Sequence, residues 1–288
     1  MLFRRTGVLP ENSPKVLNSV IIYVSLPALT ILYLHTFKFT AGIILPVLMP
    51  WIFFGIAYVV FTRLGSYFHW DKTTIGVLIL VCGLGNTSFV GLPMIEVFLG
   101  KKGIPMGLMI DQFGSFLVLS TFGIFIAHKY SPIGNGEGHA GSVLKKILTF
   151  PPFISIIVAV ALLPVEYPKL LIVILDRLGM TLSPLALLSV GYQLHFGKIG
   201  EIKKELATGL ILKLILFPAI IFLIYRVFMD PGDLLFKVTV FEAAMPPMIT
   251  AAIVATEYEL NPKLANLLVG AGIIAAFITL SLWSSVLI

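Results

Sequence analysis

Charge is scarce in this chain. Of 288 residues only 14 are acidic and 20 basic, so charged residues reach 12% against about 25% in soluble proteins. Cysteine is scarcer still. Cys82 stands alone, so no internal disulfide can form, and no Cys/His cluster has the spacing of a metal site. Neither a metal nor another cofactor is expected. The motifs HExxH and GxSxG do not occur, nor does a pair of catalytic aspartates, which speaks against an intramembrane enzyme. The amino end lacks the apolar run of a cleavable signal: Met1 to Gly7 is basic and leads into Pro10-Glu11-Asn12-Ser13-Pro14. What takes the place of charge is hydrocarbon. Hydrophobic residues make up 58% of the chain and mean hydropathy is +1.02. A soluble fold of this length cannot cover that much apolar surface. The chain reads as an all-α integral membrane protein, with the lipid bilayer as its surroundings and no nucleic-acid partner.

A spanning helix needs about 20 mostly apolar residues, and open sheet in lipid would leave its backbone without partners. Nine stretches qualify, at 16–36, 41–62, 73–99, 103–127, 143–163, 168–194, 206–228, 233–256 and 264–287. The linkers are short and hold most of the charge. Only Ser131-Pro132-Ile133-Gly134-Asn135-Gly136-Glu137-Gly138 has the composition of a long loop, and it nearly bisects the chain. With nine spans, twelve Lys and Arg residues fall on the side of the amino terminus and six on the other. The excess of positive charge places the amino terminus and the central loop in the cytoplasm and the carboxyl terminus outside.

The two halves echo each other. Pro27-Ala28-Leu29 with Tyr33 matches Pro184-Leu185-Ala186-Leu187 with Tyr192, and Pro93-Met94-Ile95 recurs as Pro247-Met248-Ile249. On this register stretches one to four pair with six to nine, and the fifth has no counterpart ahead of the first. Each repeat is then a five-helix unit, the first lacking its opening helix. Units with an odd number of spans insert in opposite orientations, which is the inverted-repeat plan of many secondary transporters.

Two of the stretches are interrupted. The third holds Gly83, Gly85, Asn86, Thr87, Ser88, Gly91 and Pro93 at mid-membrane depth, and the eighth holds Met245, Pro246 and Pro247. Proline deletes a helical hydrogen bond, glycine weakens the helix, and Asn, Thr and Ser can satisfy the freed backbone. Paired discontinuous helices point to a midplane substrate site. Their amino ends carry free N–H groups suited to an anion, and their carboxyl ends present carbonyls suited to a cation. Gly85, Asn86, Thr87, Ser88, Pro93, Met245, Pro246 and Pro247 are therefore the candidate substrate-binding residues. Ionisable groups inside the bilayer are costly and draw attention to themselves. Asp111, with Gln112 beside it and Ser115 a turn away, Lys213 in the seventh stretch, and Glu242 a turn before Pro246 are candidates for coupling transport to a proton or another ion. A structural polar contact is the competing reading for each. His35, His195 and the adjacent Asp176-Arg177 are read as interfacial anchors.

The run Gly85-Asn86-Thr87-Ser88-Phe89-Val90-Gly91-Leu92-Pro93 resembles the first crossover motif of the auxin efflux carrier family, which includes plant PIN-FORMED proteins and bacterial malate or malonate permeases. Ala243-Ala244-Met245-Pro246 through Glu257-Tyr258-Glu259-Leu260-Asn261-Pro262 resembles the second crossover and its exit loop, and Ser25-Leu26-Pro27-Ala28-Leu29 also fits. The resemblance implies a fold of two inverted five-helix repeats, shared in outline with bile acid sodium symporters. A scaffold would comprise 1–36 and 143–194. The transport core would comprise 41–128 and 205–288, with crossovers near 85–93 and 244–250, and 129–142 would be the cytoplasmic central loop. It further implies elevator-type transport of a small organic anion in the plasma membrane, with Asn86 binding the carboxylate, H+ or Na+ as coupling ion, and a homodimer formed through the scaffold. The family's first helix has no counterpart here. Arg4-Arg5-Thr6-Gly7-Val8-Leu9 resembles the junction that follows it, so the expectation is a start placed downstream or a shortened chain rather than a natural nine-helix carrier. Pro247 stands where plant members carry a polar residue, so the substrate is left open between auxin-like and malate- or malonate-like carboxylates; the plant carriers' long hydrophilic loop, which would carry kinase regulation, is lacking. The readings held beside this one are a non-transporting receptor or assembly subunit on the same fold, and a sodium-coupled symporter of the bile acid type.

Overall fold

The computed structural model describes residues 9–10, 12–36, 41–132, 149, 151–193 and 202–287. Among them the protein is helical throughout, with no strand beyond one isolated bridge. The helices are α1 (Ser13–His35), α2 (Ile44–Phe68), α3 (Lys72–Cys82), α4 (Thr87–Phe98) and α5 (Lys101–Tyr130), then α6 (Pro151–Ala161), α7 (Lys169–Ser189) and α8 (Lys203–Phe228). After them come α9 (Leu234–Ala243), α10 (Ile249–Glu257) and α11 (Pro262–Leu287). Six of these, α1, α2, α5, α7, α8 and α11, are long and apolar enough to cross a membrane. The third and eighth stretches of the sequence each arrive as two short helices, α3 with α4 and α9 with α10. His195, Lys145, Lys146, most of the central loop and the start of the fifth stretch lie outside the described residues.

Local chemistry sets the ends of these helices. Asp71 caps α3, its carboxylate accepting from Thr74 N at 2.7 Å and from the Thr73 and Thr74 hydroxyls. Asn261 caps α11 by accepting from Leu264 N at 3.2 Å, and Pro262 fills the first helical position, where no donor is needed. The same Asn261 donates from Nδ2 to Thr74 Oγ1 at 3.0 Å, tying the two caps together.

Two packing groups emerge. In one, α1 lies against α6 and α7. Gly179 of α7 leaves room there for Leu29, and hydroxyl pairs such as Ser25 with Thr181, 2.8 Å apart, join α1 to α7. His35 meets Val165 O at 2.8 Å and stacks on Tyr167, 3.8 Å between ring centres, an anchoring contact. In the other group α2 packs on α3, α5, α8 and α9, while α10 and α11 pack on α3. Its apolar core includes Phe217 set edge-on to Phe53 and Phe61. The groups meet where α4 faces α7 and α5 faces α1. Across that seam Ser183 Oγ donates to Glu96 Oε2 at 3.0 Å. Asp176 lines a small cavity beside this bond, while its neighbour Arg177 is exposed.

Glycines admit the closest approaches, as expected where helices associate without a hydrophobic drive from water. A methyl group on Gly272 of α11 would stand 2.6 Å from Pro247 Cδ. Gly272→Ala is therefore expected to overpack that contact by about 2 kcal/mol. The apparent melting temperature of the purified protein should fall by about 5 °C; an unchanged melt would mean that Pro247 is free to move aside.

Candidate functional site

The two interruptions meet. After Cys82 the chain leaves the helix through Gly83 and Gly85. After Ala243 it does so through Met245, Pro246 and Pro247, the last two having no N–H to continue a helix. The loose segments run antiparallel and bridge at Gly85 and Pro247. Asn86 N donates to Pro246 O at 2.9 Å, and Met248 N to Val81 O at 3.3 Å. Gly85 and Pro247 form the pair of an antiparallel ladder that exchanges no hydrogen bond with its opposite residue, so the proline forfeits nothing there. Gly85 is needed for closeness: a side chain on it would stand 3.3 Å from Glu242 O and 3.4 Å from Lys213 Nζ.

At the amino end of α4, Asn86 Oδ1 accepts from Phe89 N at 3.2 Å, closing a cap over a widened, π-type turn at Thr87–Gly91. The hydroxyls of Thr87 and Ser88 both donate to Asp111 Oδ1, each at 2.5 Å, and Gln112 Nε2 donates to Asp111 Oδ2 at 3.3 Å. An internal carboxylate thus already faces the positive end of this half-helix. The amino end of α10, by contrast, has no side-chain cap. Asn86 Nδ2, Gln112 Oε1 and Ser115 Oγ are buried without a hydrogen-bond partner.

Glu242 closes the last full turn of α9 and is 0% exposed. Neither of its carboxylate oxygens has a hydrogen-bond partner. They fit against the backbone of Gly91 and Gly107, where a methyl group would stand 2.5 Å and 3.1 Å from them. Lys213 reaches in from α8. Its Nζ donates to Ala243 O at 3.5 Å and sits 3.9 Å above the centre of the Phe53 ring. Thr87, Ser115, Lys213 and Glu242 share a cavity with Pro50 and Phe53 of α2. It has room for about one water, so the crossing is closed in this conformation.

Gly85, Asn86, Thr87, Ser88, Met245, Pro246 and Pro247 all lie at or beside this crossing; Glu242 reaches it from the last turn of α9, and Asp111 and Lys213 from the neighbouring helices α5 and α8. Pro93 does not reach it. It lies inside α4, about two turns past Asn86, where the widened turn ahead of it accommodates the ring. The residue that meets Pro247 across the crossing is Gly85. The sequence also gave no sign of Gly91, Gly107 or Phe53 as neighbours of the charged groups. Asp111 and Lys213 both lie in π-type turns, Ile110–Ser115 and Leu212–Leu216, a deviation that often marks working parts of helices. Tryptophans hold carbonyls of both turns, Trp51 Nε1 donating to Phe113 O at 3.2 Å and Trp283 Nε1 to Leu214 O at 3.0 Å.

An apolar helical bundle that turns uncompensated polar groups inward, where two helices stop and restart, has the build of a multi-pass membrane transport protein. Comparison with known proteins agrees. Residues 1–284 match the family described as membrane transport protein, and the chain belongs to that family, the auxin efflux carrier family. It is similar to an uncharacterized transporter of Methanocaldococcus jannaschii, 28% identical over 98% of this chain and 92% of the relative. It is equally similar to an uncharacterized transporter of Methanothermobacter thermautotrophicus, 29% identical over 98% of this chain and 91% of that relative.

Proposed function

We propose that this protein is a secondary transporter or facilitative carrier of small organic anions, mono- or dicarboxylates, held at the crossing of the two interrupted helices. The observation that carries this reading is the buried, partnerless Asn86 Nδ2 beside two breaks that hydrogen-bond to each other. A free donor in a dry site costs stability unless a ligand takes it. Because Asp111 faces the amino end of α4, the carboxylate goes to Asn86 Nδ2 and the uncapped amino end of α10. The helices then form nine crossings in two inverted repeats, with α3–α4 and α9–α10 each counting as one. The amino terminus and central loop are cytoplasmic, the carboxyl terminus is outside, and the membrane is the plasma membrane. The group α1, α6 and α7 is the scaffold, through which a homodimer forms, and the rest is the moving core of an elevator.

A thermal-shift screen of organic acids on the purified protein tests the substrate class. Malate, malonate or a related carboxylate should raise the melting temperature in a saturable way; a flat response to every carboxylate would contradict the reading. Glu242, buried and partnerless, is the proton carrier. Glu242→Gln should flatten the pH dependence of carboxylate uptake into proteoliposomes while leaving uptake measurable. Parallel pH profiles for variant and wild type would remove Glu242 from that role.

A further inference from the structure

The carboxyl end of α9 is where a free cation would be expected. Half-helix carboxyl ends and unwound carbonyls are the usual ligands for a coupling ion in an interrupted helix, since their lone pairs have no N–H partner. Here that place is taken. Lys213 Nζ lies on Ala243 O, over the face of Phe53, and close enough to Gly85 that any side chain there would touch it. Glu242, Thr87 and Ser115 line the same cavity; the Glu242 carboxylate and the Ser115 hydroxyl have no hydrogen-bond partner, and the Thr87 hydroxyl donates to Asp111. One carboxylate, two hydroxyls and a helix-end carbonyl are a hard-oxygen set of the kind that binds an alkali ion. The widened turn Leu212–Leu216, held by Trp283 through Leu214 O, carries the lysine at this depth.

We propose that the Lys213 ammonium is a tethered cation filling an alkali-ion site at the crossing, on Ala243 O and the Phe53 ring in the cavity that Glu242 also lines, so that this carrier takes no sodium there. The proposal deepens the carrier reading by choosing between its two coupling ions. It leaves the proton on Glu242 as the mobile charge. A lysine is a compact cation with three donors, and a ring face plus a carbonyl satisfy it only in part. Shortening it would uncover Ala243 O and open its place in the cavity to another cation.

The test reads sodium alone and needs no substrate, so it succeeds or fails separately from the carrier reading. Melting temperatures of the purified full chain are measured while NaCl replaces choline chloride at constant ionic strength. Wild type should shift by less than about 1 °C. Lys213→Ala should melt lower in choline and recover by about 4 °C in a saturable sodium titration. Lys213→Met, which refills the space without charge, should melt lower and ignore sodium. A saturable sodium stabilisation of wild type would overturn the proposal, because a metal ion would then coexist with the ammonium. A folded Lys213→Ala indifferent to sodium would overturn it equally, by removing the site behind the lysine. If Lys213→Ala yields no folded protein in either salt, the wild-type titration decides: flat supports the tethered cation, saturable rejects it.

Discussion

Asn86→Ser is expected to lower carboxylate affinity by about 10- to 100-fold, the loss that follows when one hydrogen bond to a charged ligand is removed, yet to melt close to wild type. On the proposed reading the residue does two jobs with two ends of one amide. Its Oδ1 caps α4 through Phe89 N, and a serine oxygen can do the same. Its Nδ2 has no partner, and serine offers nothing in that place. Asn86→Ala, by contrast, should lose both the affinity and about 1 kcal/mol of stability with the cap. Titration of the best carboxylate against wild type and both variants separates the effects. Wild-type affinity in Asn86→Ser would reduce Asn86 to a helix cap and move the ligand elsewhere.

Asp111→Ala costs stability instead. It leaves the Thr87 and Ser88 hydroxyls, which now meet on one carboxylate oxygen, buried without an acceptor. Hydrogen bonds to charged groups contribute about 1.5–3 kcal/mol each, so the pair amounts to about 4 kcal/mol and a fall of about 10 °C in apparent melting temperature. Asp111→Asn keeps an acceptor oxygen and should lose roughly half as much. If Asp111→Ala melts within about 2 °C of wild type, the two hydroxyls have other acceptors within reach and the amino end of α4 does not depend on Asp111.

How far the crossing could be read from the chain depends on the kind of signal. Both breaks were legible because Gly83, Gly85, Pro246 and Pro247 act on their own backbone, within a turn of where they stand. Asp111, Lys213 and Glu242 were legible for a different reason: a charge inside hydrocarbon is conspicuous wherever it points. Their partners were not, since Thr87 to Asp111 spans 24 residues and depends on how α4 leans on α5. The seats of Glu242 against Gly91 and Gly107 are likewise tertiary. Pro93, unlike Pro246 and Pro247, does not stand in the break. Proline marks a break only where its ring and missing donor cannot be absorbed, and at Pro93 the widened turn Thr87–Gly91 absorbs them. The same turns defeat periodicity at Asp111 and Lys213, since one extra residue rotates a side chain by about 100°.

The central claim is that the meeting of the two broken helices is where the cargo binds. A structure of the purified protein with its best-stabilising carboxylate bound tests it most directly. The account predicts ligand density within hydrogen-bonding distance of Asn86 Nδ2 and the first-turn N–H groups of α10, in a crossing opened beyond its present one-water cavity. Ligand density at the α4–α7 seam or on the lipid-facing surface, with the crossing still closed, would contradict it.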